Sequence, residues 1–552
     1  MPVSYLPLFR RLPSDQLFAS LCCDELSFAR WLTVSRRRLR DRSKESESTY
    51  PMETIEQLKT HLADVVHLGH AAAVLGWDQQ VNMPPGGAPA RAEQLATLSR
   101  LAHEKFTAEE TGRLIEAAAA HLDGLSYDSD EAALVRVVKH DYELATRVPT
   151  ALVAELARVT SQAHEVWARA RAEANFAAFV PMLERILDLK RQEAEALGYQ
   201  ERMYDALLDQ YEPHMKTADV ERLFDELRAE LVPFVAQVFA NFDAVDDAPI
   251  RRKYDVAGQA EFGLKVIERL GYDMARGRQD KSVHPFTTEF SIGDVRITTR
   301  YLEDWMPSAL FGSIHEAGHA MYEQGVSPLL EGTSLARGTS LGVHESQSRL
   351  WENVVGRSRT FWGVFYGDLQ KLFPEQLAGV SLAAFYKAIN AVTRSLIRVE
   401  ADEVTYNLHI MLRFELEKDL LEGRLPVREL RDAWNAKMEA YLGITPPDDG
   451  KHGVLQDVHW SSGLIGYFPT YSLGNFLSVQ YWDKALQDVP SIPDDIARGE
   501  FGSLLGWLRK NIHQHGRKYW PAELTQRVTG EPIQVGPFLR YLKEKYTDIY
   551  GL

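Results

Sequence analysis

The sequence predicts a mainly α-helical fold carrying one small antiparallel β-hairpin, and three observations predict it. From Glu53 to about Gln279 the chain is rich in Ala, Leu, Glu and Arg, with apolar residues recurring about every 3.6 positions. From Phe286 to Arg300 the pattern changes to alternating β-branched residues, F-T-T-E-F-S-I-G-D-V-R-I-T-T-R, turned at Gly293-Asp294. From Asp304 to the end the helical pattern returns.

Each element has its local reason. Ile55, Leu58, Leu62, Val65 and Val66, followed by Leu68 and Ala72, form one apolar stripe, the mark of a helix lying on a core. The first break falls where Met83-Pro84-Pro85-Gly86-Gly87 can no longer support helix. Later, Gly332 to Gly342 is loop-like, with three glycines among Ser and Thr, before a new helical pattern from Val343 to Asn353. No internal repeat or low-complexity tract interrupts the chain.

The totals exclude several classes. The chain has 552 residues, 45% hydrophobic and 25% charged, as a large globular body requires. A net charge of -16 and no long basic stripe argue against nucleic acid as a partner. The two cysteines are the adjacent pair Cys22 and Cys23, so a disulfide framework or a Cys-based zinc site is excluded and a reducing, cytoplasmic location is expected. No apolar run approaches the roughly 20 residues that span a bilayer, so no membrane partner is expected. The first 51 residues differ, with nine Lys or Arg against six Asp or Glu and the tract Arg36-Arg37-Arg38-Leu39-Arg40. Their apolar run, Leu17 to Cys23, is too short for a secretory signal, and the acids do not suit a transit peptide. Residues 1–51 are read as an extension, disordered or outside the native fold.

The chemistry concentrates at S-I-H-E-A-G-H-A-M-Y-E, positions 313 to 323. His315 and His319 are just over one helical turn apart, so both imidazoles project from one face at the spacing that two ligands of a tetrahedral ion need. Glu316 stands one residue round from the first ligand, placed to act as general base on water. A third ligand is required; Glu345, near the start of the next helical pattern, is the candidate, with His344 beside it as competitor. Zinc is the expected metal, one per chain, with cobalt or another divalent ion as an alternative.

Further motifs then resemble a known family, the M32 metallocarboxypeptidases typified by Taq carboxypeptidase. His284-Pro285-Phe286 is similar to the family's HPF, and Asp294-Val295-Arg296-Ile297-Thr298 to DxRxT. His344-Glu345-Ser346-Gln347 is similar to HES/TQ, Ile397 to Asp402 to I/VRxxAD, and Gly453 to Trp460 to GxxQDxHW, all in family order. The likeness covers about Met52 to Leu552. It implies a single catalytic unit over 52–552: a helical part at 52–280, the zinc site and hairpin at 281–475, and C-terminal helices at 476–552. It also implies a helical body crossed by a deep substrate groove with zinc at its floor, Glu345 as third ligand, and a homodimer.

The reaction so implied is release of single C-terminal residues from peptides, with broad specificity. Zinc would acidify water and polarise the scissile carbonyl, while Glu316 carries a proton to the leaving amine. His459, Tyr467 and Tyr471 are candidate donors to the oxyanion. A free C-terminal carboxylate calls for a guanidinium, and Arg398 or Arg296 would supply it. The alternative for Arg398 is an internal ion pair with Glu400, Asp402 or Glu403, and for Arg296 an exposed strand position. His284, Gln456 and Asp457 complete the expected substrate wall, though Gln456 and Asp457 could equally cap a loop. Glu352 is the candidate for orienting a ligand histidine, and the hairpin's edge could pair with an extended peptide. Two rivals stand beside this reading: a zinc oligopeptidase cutting internal bonds, and an inactive peptide-binding protein.

Overall fold

The structure, a computed structural model, describes residues 51–552; the extension expected over 1–51 lies outside them save for Pro51. The first helix, α1 (Pro51–Val81), ends at the Pro-Gly break, where Pro85–Gly87 makes one 3-10 turn before α2 (Ala88–Phe106). Next come α3 (Asp130–Arg147), α4 (Thr150–Ala172), α5 (Val180–Leu197), α6 (Thr217–Ala240) and α7 (Val256–Leu270). Their ends carry the expected signals. Ser129 caps α3 by accepting from the Ala132 amide, and Gly271 closes α7 in the left-handed conformation that glycine adopts freely.

A short sheet follows, of strands β1 (Gln279–Lys281), β2 (Thr287–Ser291) and β3 (Asp294–Thr299) in the order β1-β3-β2. β2 and β3 form the anticipated antiparallel hairpin, Thr287 opposite Ile297 and Thr288 opposite Arg296, with a bulge between Glu289 and Ser291. The turn falls at Ile292-Gly293, because Asp294 already pairs with Ser291. β1 corrects the hairpin reading: it joins the other edge of β3 in parallel, so the sheet is mixed. Its three polar residues carry no strand signal of their own; the free edge of β3 recruits them.

The chain then returns to helix in α8 (Met306–Glu323) and α9 (Leu341–Arg349). α9 runs into a π-helical turn, Leu350–Val355, ahead of α10 (Arg359–Leu372), α11 (Tyr406–Leu421), α12 (Pro469–Asp488) and α13 (Gly536–Tyr550). Shorter helices join them.

Within Gln57–Leu552, two hydrophobic clusters meet at α12. Leu473, Phe476 and Val479 face a core shared with α4, α5, α6, α11 and α13. Leu477, Tyr481 and Ala485 face a second core built by α7, β3, α8 and α10. A helix apolar on two sides has to be interior, and each large side chain so buried is worth about 1.5–3 kcal/mol. α8 is embedded the same way, with Leu310, Phe311, Ile314, Ala317 and Met321 in the second core beside Val295 and Ile297 of β3. The polar residues of α8 thus sit on a scaffold with little freedom to move.

Candidate metal centre

His315 and His319 leave α8 on one face, and their Nε2 atoms are 3.2 Å apart. Glu345, in the middle of α9, brings Oε2 to 3.7 Å from His315 Nε2 and 3.4 Å from His319 Nε2. Three donors held about 2.0–2.2 Å from one tetrahedral ion lie about 3.3–3.6 Å from one another. The spacings fit such an ion, and two imidazoles with one carboxylate suit a divalent metal of the zinc kind. Among the described residues one other group of three metal-ligating side chains comes comparably close, His140, Asp209 and His214.

Two glycines allow this convergence. A Cβ on Gly318 would stand 2.6 Å from Ser348 Cα and 2.9 Å from the Gln347 carbonyl oxygen, both in the backbone of α9. A Cβ on Gly474 of α12 would stand 2.6 Å from Cβ and Cγ of Glu345. α9 is therefore pinched between α8 and α12, and at either contact only hydrogen fits.

Each ligand is oriented from behind. His315 Nδ1 lies 2.9 Å from Glu352 Oε2, in the π-helical turn, so its Nδ1–H donates there and Nε2 keeps its lone pair for the ion. His319 Nδ1 lies 2.5 Å from His344 Nδ1, and His344 Nε2 lies 2.7 Å from Glu323 Oε1. With Nε2 of His319 free for the ion, one proton arrangement satisfies the chain: His319 donates to His344, and His344 donates to Glu323. His344 thus stands behind His319, not in the ligand set. Glu345 Oε1 accepts from Arg349 Nε at 2.7 Å. Burial opposes its charge, but Arg349 and the two imidazoles hold the Glu345 carboxyl well below the ordinary range.

Glu316 is buried, and burial raises its carboxyl above the usual value. Thr287 of β2 reaches it, with Oγ1 at 2.7 Å from Glu316 Oε2 and 2.9 Å from the Glu316 carbonyl. One hydroxyl proton serves one acceptor, and the charged carboxylate is the stronger. The sheet's first role here is therefore to steer Glu316.

Across from α8, the start of α12 and the loop before it hold His459, Tyr467 and Tyr471. His459 Nε2 lies 3.3 Å from Tyr471 Oη, and the ring packs 4.4 Å from Phe468. Burial pushes the imidazole down to about 4, so it is neutral at working pH. Tyr467 and Tyr471 pack on one another with ring centroids 5.4 Å apart, and burial raises both phenols, the Glu345 carboxylate adding to the rise.

The two expected arginines already hold carboxylates of this chain. Arg398 donates from Nε and Nη2 to Asp457 Oδ1 at 3.0 and 2.8 Å, and from Nη1 to Tyr406 Oη at 3.0 Å. Asp457 Oδ2 also accepts from Arg413 Nε at 2.7 Å. One carboxylate between two buried guanidiniums leaves a net positive charge beside Tyr471, whose ring lies 5.1 Å from Arg398 Cζ. Arg296 pairs with Asp294 through two 2.8 Å bonds and lies over Trp77 and Phe290, so it is not the bare exposed strand residue considered above. Gln456 accepts from the Arg398 amide at 2.8 Å and donates to the Leu396 and His452 carbonyls, which fixes the Arg398 loop. His284 is exposed, in the connection from β1 to β2. Sequence reasoning missed Arg349, Glu323 and Arg337. The side chain of Arg337, in the Gly332–Gly342 loop, makes no hydrogen bond or ion pair among the described residues.

Comparison with known proteins finds a family and several close relatives in sequence and in structure. The family model described as Carboxypeptidase Taq (M32) metallopeptidase matches residues 57–546. Thermostable carboxypeptidase 1 of Thermus thermophilus is 42% identical over 511 residues, covering 91% of this chain and 100% of that protein. Carboxypeptidase 1 of Bacillus subtilis is 39% identical over 504 residues, covering 91% and 99%. The M32 carboxypeptidase structure from Deinococcus radiodurans superposes with a TM-score of 0.88 at 44% identity, covering 91% of this chain and 100% of that one. Metallocarboxypeptidase 1 of Trypanosoma cruzi does so at 0.86 with 33% identity, covering 90% and 99%.

Proposed function

This chain belongs to the M32, or Taq carboxypeptidase, family of metallopeptidases, and on that premise we propose a zinc carboxypeptidase that releases single C-terminal residues with broad tolerance for their side chains. Membership carries a divalent metal, carboxypeptidase chemistry and peptide substrates. The finer reading rests on one observation above the rest: three donor atoms spaced as the edges of a tetrahedral site, with Glu316 beside them.

His315, His319 and Glu345 would hold the ion. When bound, it supplies Lewis acidity, lowering the pKa of water toward about 7 and polarising a carbonyl. Glu316, steered by Thr287, takes the proton of the attacking water on its carboxylate and hands it to the leaving amine nitrogen. Tyr467, Tyr471 and neutral His459 face the developing oxyanion as hydrogen-bond donors. Arg398 meets the terminal carboxylate: the Arg398–Asp457–Arg413 group has one positive charge in excess, and a substrate carboxylate would neutralise it. Gln456 and Asp457 keep that guanidinium in place. Arg296, stacked on Trp77, and exposed His284 belong to the outer substrate wall. The reading extends to cytoplasmic residence and a homodimer. No helix among the described residues is long and apolar enough to cross a membrane.

The other triad is a poorer catalytic centre: the carboxylate that follows its first histidine, Asp141, is already held by Arg517 through bonds of 2.6 and 2.9 Å. The test is hydrolysis of one short peptide as free acid and as C-terminal amide, with and without chelator. Chelator-sensitive release of the last residue from the free acid alone is expected. Equal cleavage of both forms at internal bonds would replace the proposal with an oligopeptidase. No cleavage by zinc-loaded protein would replace it with a peptide-binding protein.

A further inference from the structure

His140, Asp209 and His214 lie outside the chemistry described above, on α3 and on the turn that precedes α6. We propose that they form a second, separate binding site for a divalent transition ion of the zinc class.

The ligand atoms converge. His140 Nε2 lies 3.0 Å from Asp209 Oδ2, His214 Nδ1 lies 3.7 Å from Asp209 Oδ1, and the three donor atoms all fall within 4.8 Å of one another. Two imidazoles and one carboxylate repeat the donor set of the first site, and such a set favours zinc, cobalt or a similar ion over magnesium or calcium.

The surroundings are built as for a metal ligand. The rear nitrogen of His140, Nδ1, is buried with Asp141 Oδ1 3.6 Å away, on the side where Glu352 stands behind His315 but short of the direct 2.9 Å bond made there. Asp141 is itself fixed by Arg517, through bonds of 2.6 and 2.9 Å. Trp520 walls the site, with its ring 5.1 Å from His140 and 4.6 Å from His214.

A His140–Asp209 ion pair alone would account for one imidazole and leave the second without a reason. His214 holds φ at +68°, a left-handed conformation that only Ala174 shares among the described non-glycine residues. Glycine would adopt it without strain, whereas a side chain there costs about 1 kcal/mol or more. The strained residue is one that brings a ligand nitrogen to Asp209, whose Oδ1 also accepts from the His214 amide at 2.7 Å. With its side chain 51% exposed, His214 leaves one side of the site open to solvent, so an ion can enter and keep water as its remaining ligand.

The position suggests what the ion would do. Between Asp209 and His214 lies Glu212, whose carboxylate accepts from Ser340 Oγ at 2.8 Å and from the Gly342 amide at 3.0 Å. Those two residues begin α9, the helix of Glu345. An ion tying α3 to the 209–214 turn would stiffen the anchor of the catalytic helix.

The experiment uses the full chain, stripped by chelator and dialysed against zinc or cobalt, with bound metal counted per chain. Wild type is expected to hold two equivalents. His319→Ala should retain one, and zinc should still raise its Tm. Adding His214→Gly or His140→Gln to His319→Ala should abolish both the remaining equivalent and the zinc-induced rise. Because His214→Gly relieves backbone strain, its metal-free Tm should equal or exceed wild type, which checks that the variant folds. A single equivalent in wild type, or a second one that survives both His214→Gly and His140→Gln, would overturn the proposal.

Discussion

Replacing Gly318 by alanine adds one methyl group and tests whether the ligand set depends on direct contact between α8 and α9. The new Cβ would lie 2.6 Å from Ser348 Cα and 2.9 Å from the Gln347 oxygen, where non-bonded carbons prefer about 3.5–4.0 Å. Both neighbours are backbone, so no rotamer change relieves the clash, and α9 has to retreat by about 1 Å. Glu345 retreats with it, which widens its 3.7 and 3.4 Å spacings to the two histidines. Metal sites tolerate about 0.2 Å in ligand distance, so zinc affinity should fall at least about 100-fold. Overpacking costs about 1–3 kcal/mol, but alanine in a helix returns up to about 1 kcal/mol, so the metal-free protein loses little. Affinity, measured by competition with a chromophoric chelator, is therefore the deciding assay. Gly363 is the control: it is exposed on α10 with nothing within 4 Å of an added Cβ, and Gly363→Ala should leave zinc binding alone and stabilise by up to about 1 kcal/mol. Wild-type zinc affinity in Gly318→Ala would refute the argument that the pinch sets the ligand geometry.

Asp457→Asn leaves Arg398 and Arg413 buried without their shared counter-ion, and should cost about 3–5 kcal/mol in urea unfolding. His459 takes a proton near pH 4 in the folded chain but near 6.5 when unfolded, so the unfolded state binds more protons between those values. Stability should accordingly be full above pH 6.5 and fall as pH drops toward 4, by about 3 kcal/mol in all; unfolding His459→Gln at pH 7.5 and pH 5 should show a flatter dependence than wild type. Tyr471→Phe removes one oxyanion donor and should lower kcat by about 100-fold or more with little change in KM, measured on the free-acid peptide.

Much of the fold was legible because its signals are local. The 3.6-residue stripe, the Pro-Gly break after α1 and the alternating residues on either side of Ile292-Gly293 each report on their own neighbours, and each reappears as an element. The features that escaped are those set by distant partners. Gln279–Lys281 is a strand only because β3 has a free edge. The π-helical turn at Leu350–Val355 cannot be told from ordinary helix by composition, yet Glu352 faces His315 from within it. Gly318 and Gly474 look like helix defects until the helices that press on them are in place. The relay through His344 to Glu323 is equally hidden, since its members come from two helices.

The same limit explains why the local partners considered for Arg398 differ from the one it has. Glu400, Asp402 and Glu403 are its nearest acids along the chain, and a reading by proximity assigns the ion pair to them. Each is placed elsewhere. Asp402 accepts from the amides of Thr393, Val404 and Thr405, closing the turn that begins α11. Glu403 takes Lys545 and Tyr546 of α13, at 2.8 and 3.1 Å. Glu400 is exposed. The partner is Asp457, 59 positions away, and it is shared with Arg413. Sharing is the consequential part, because a dedicated acid would have left the pair neutral and no reason for a substrate carboxylate to approach. One acid between two guanidiniums holds Arg398 rigid and still leaves a charge to be answered, the combination that the proposed site for a terminal carboxylate requires.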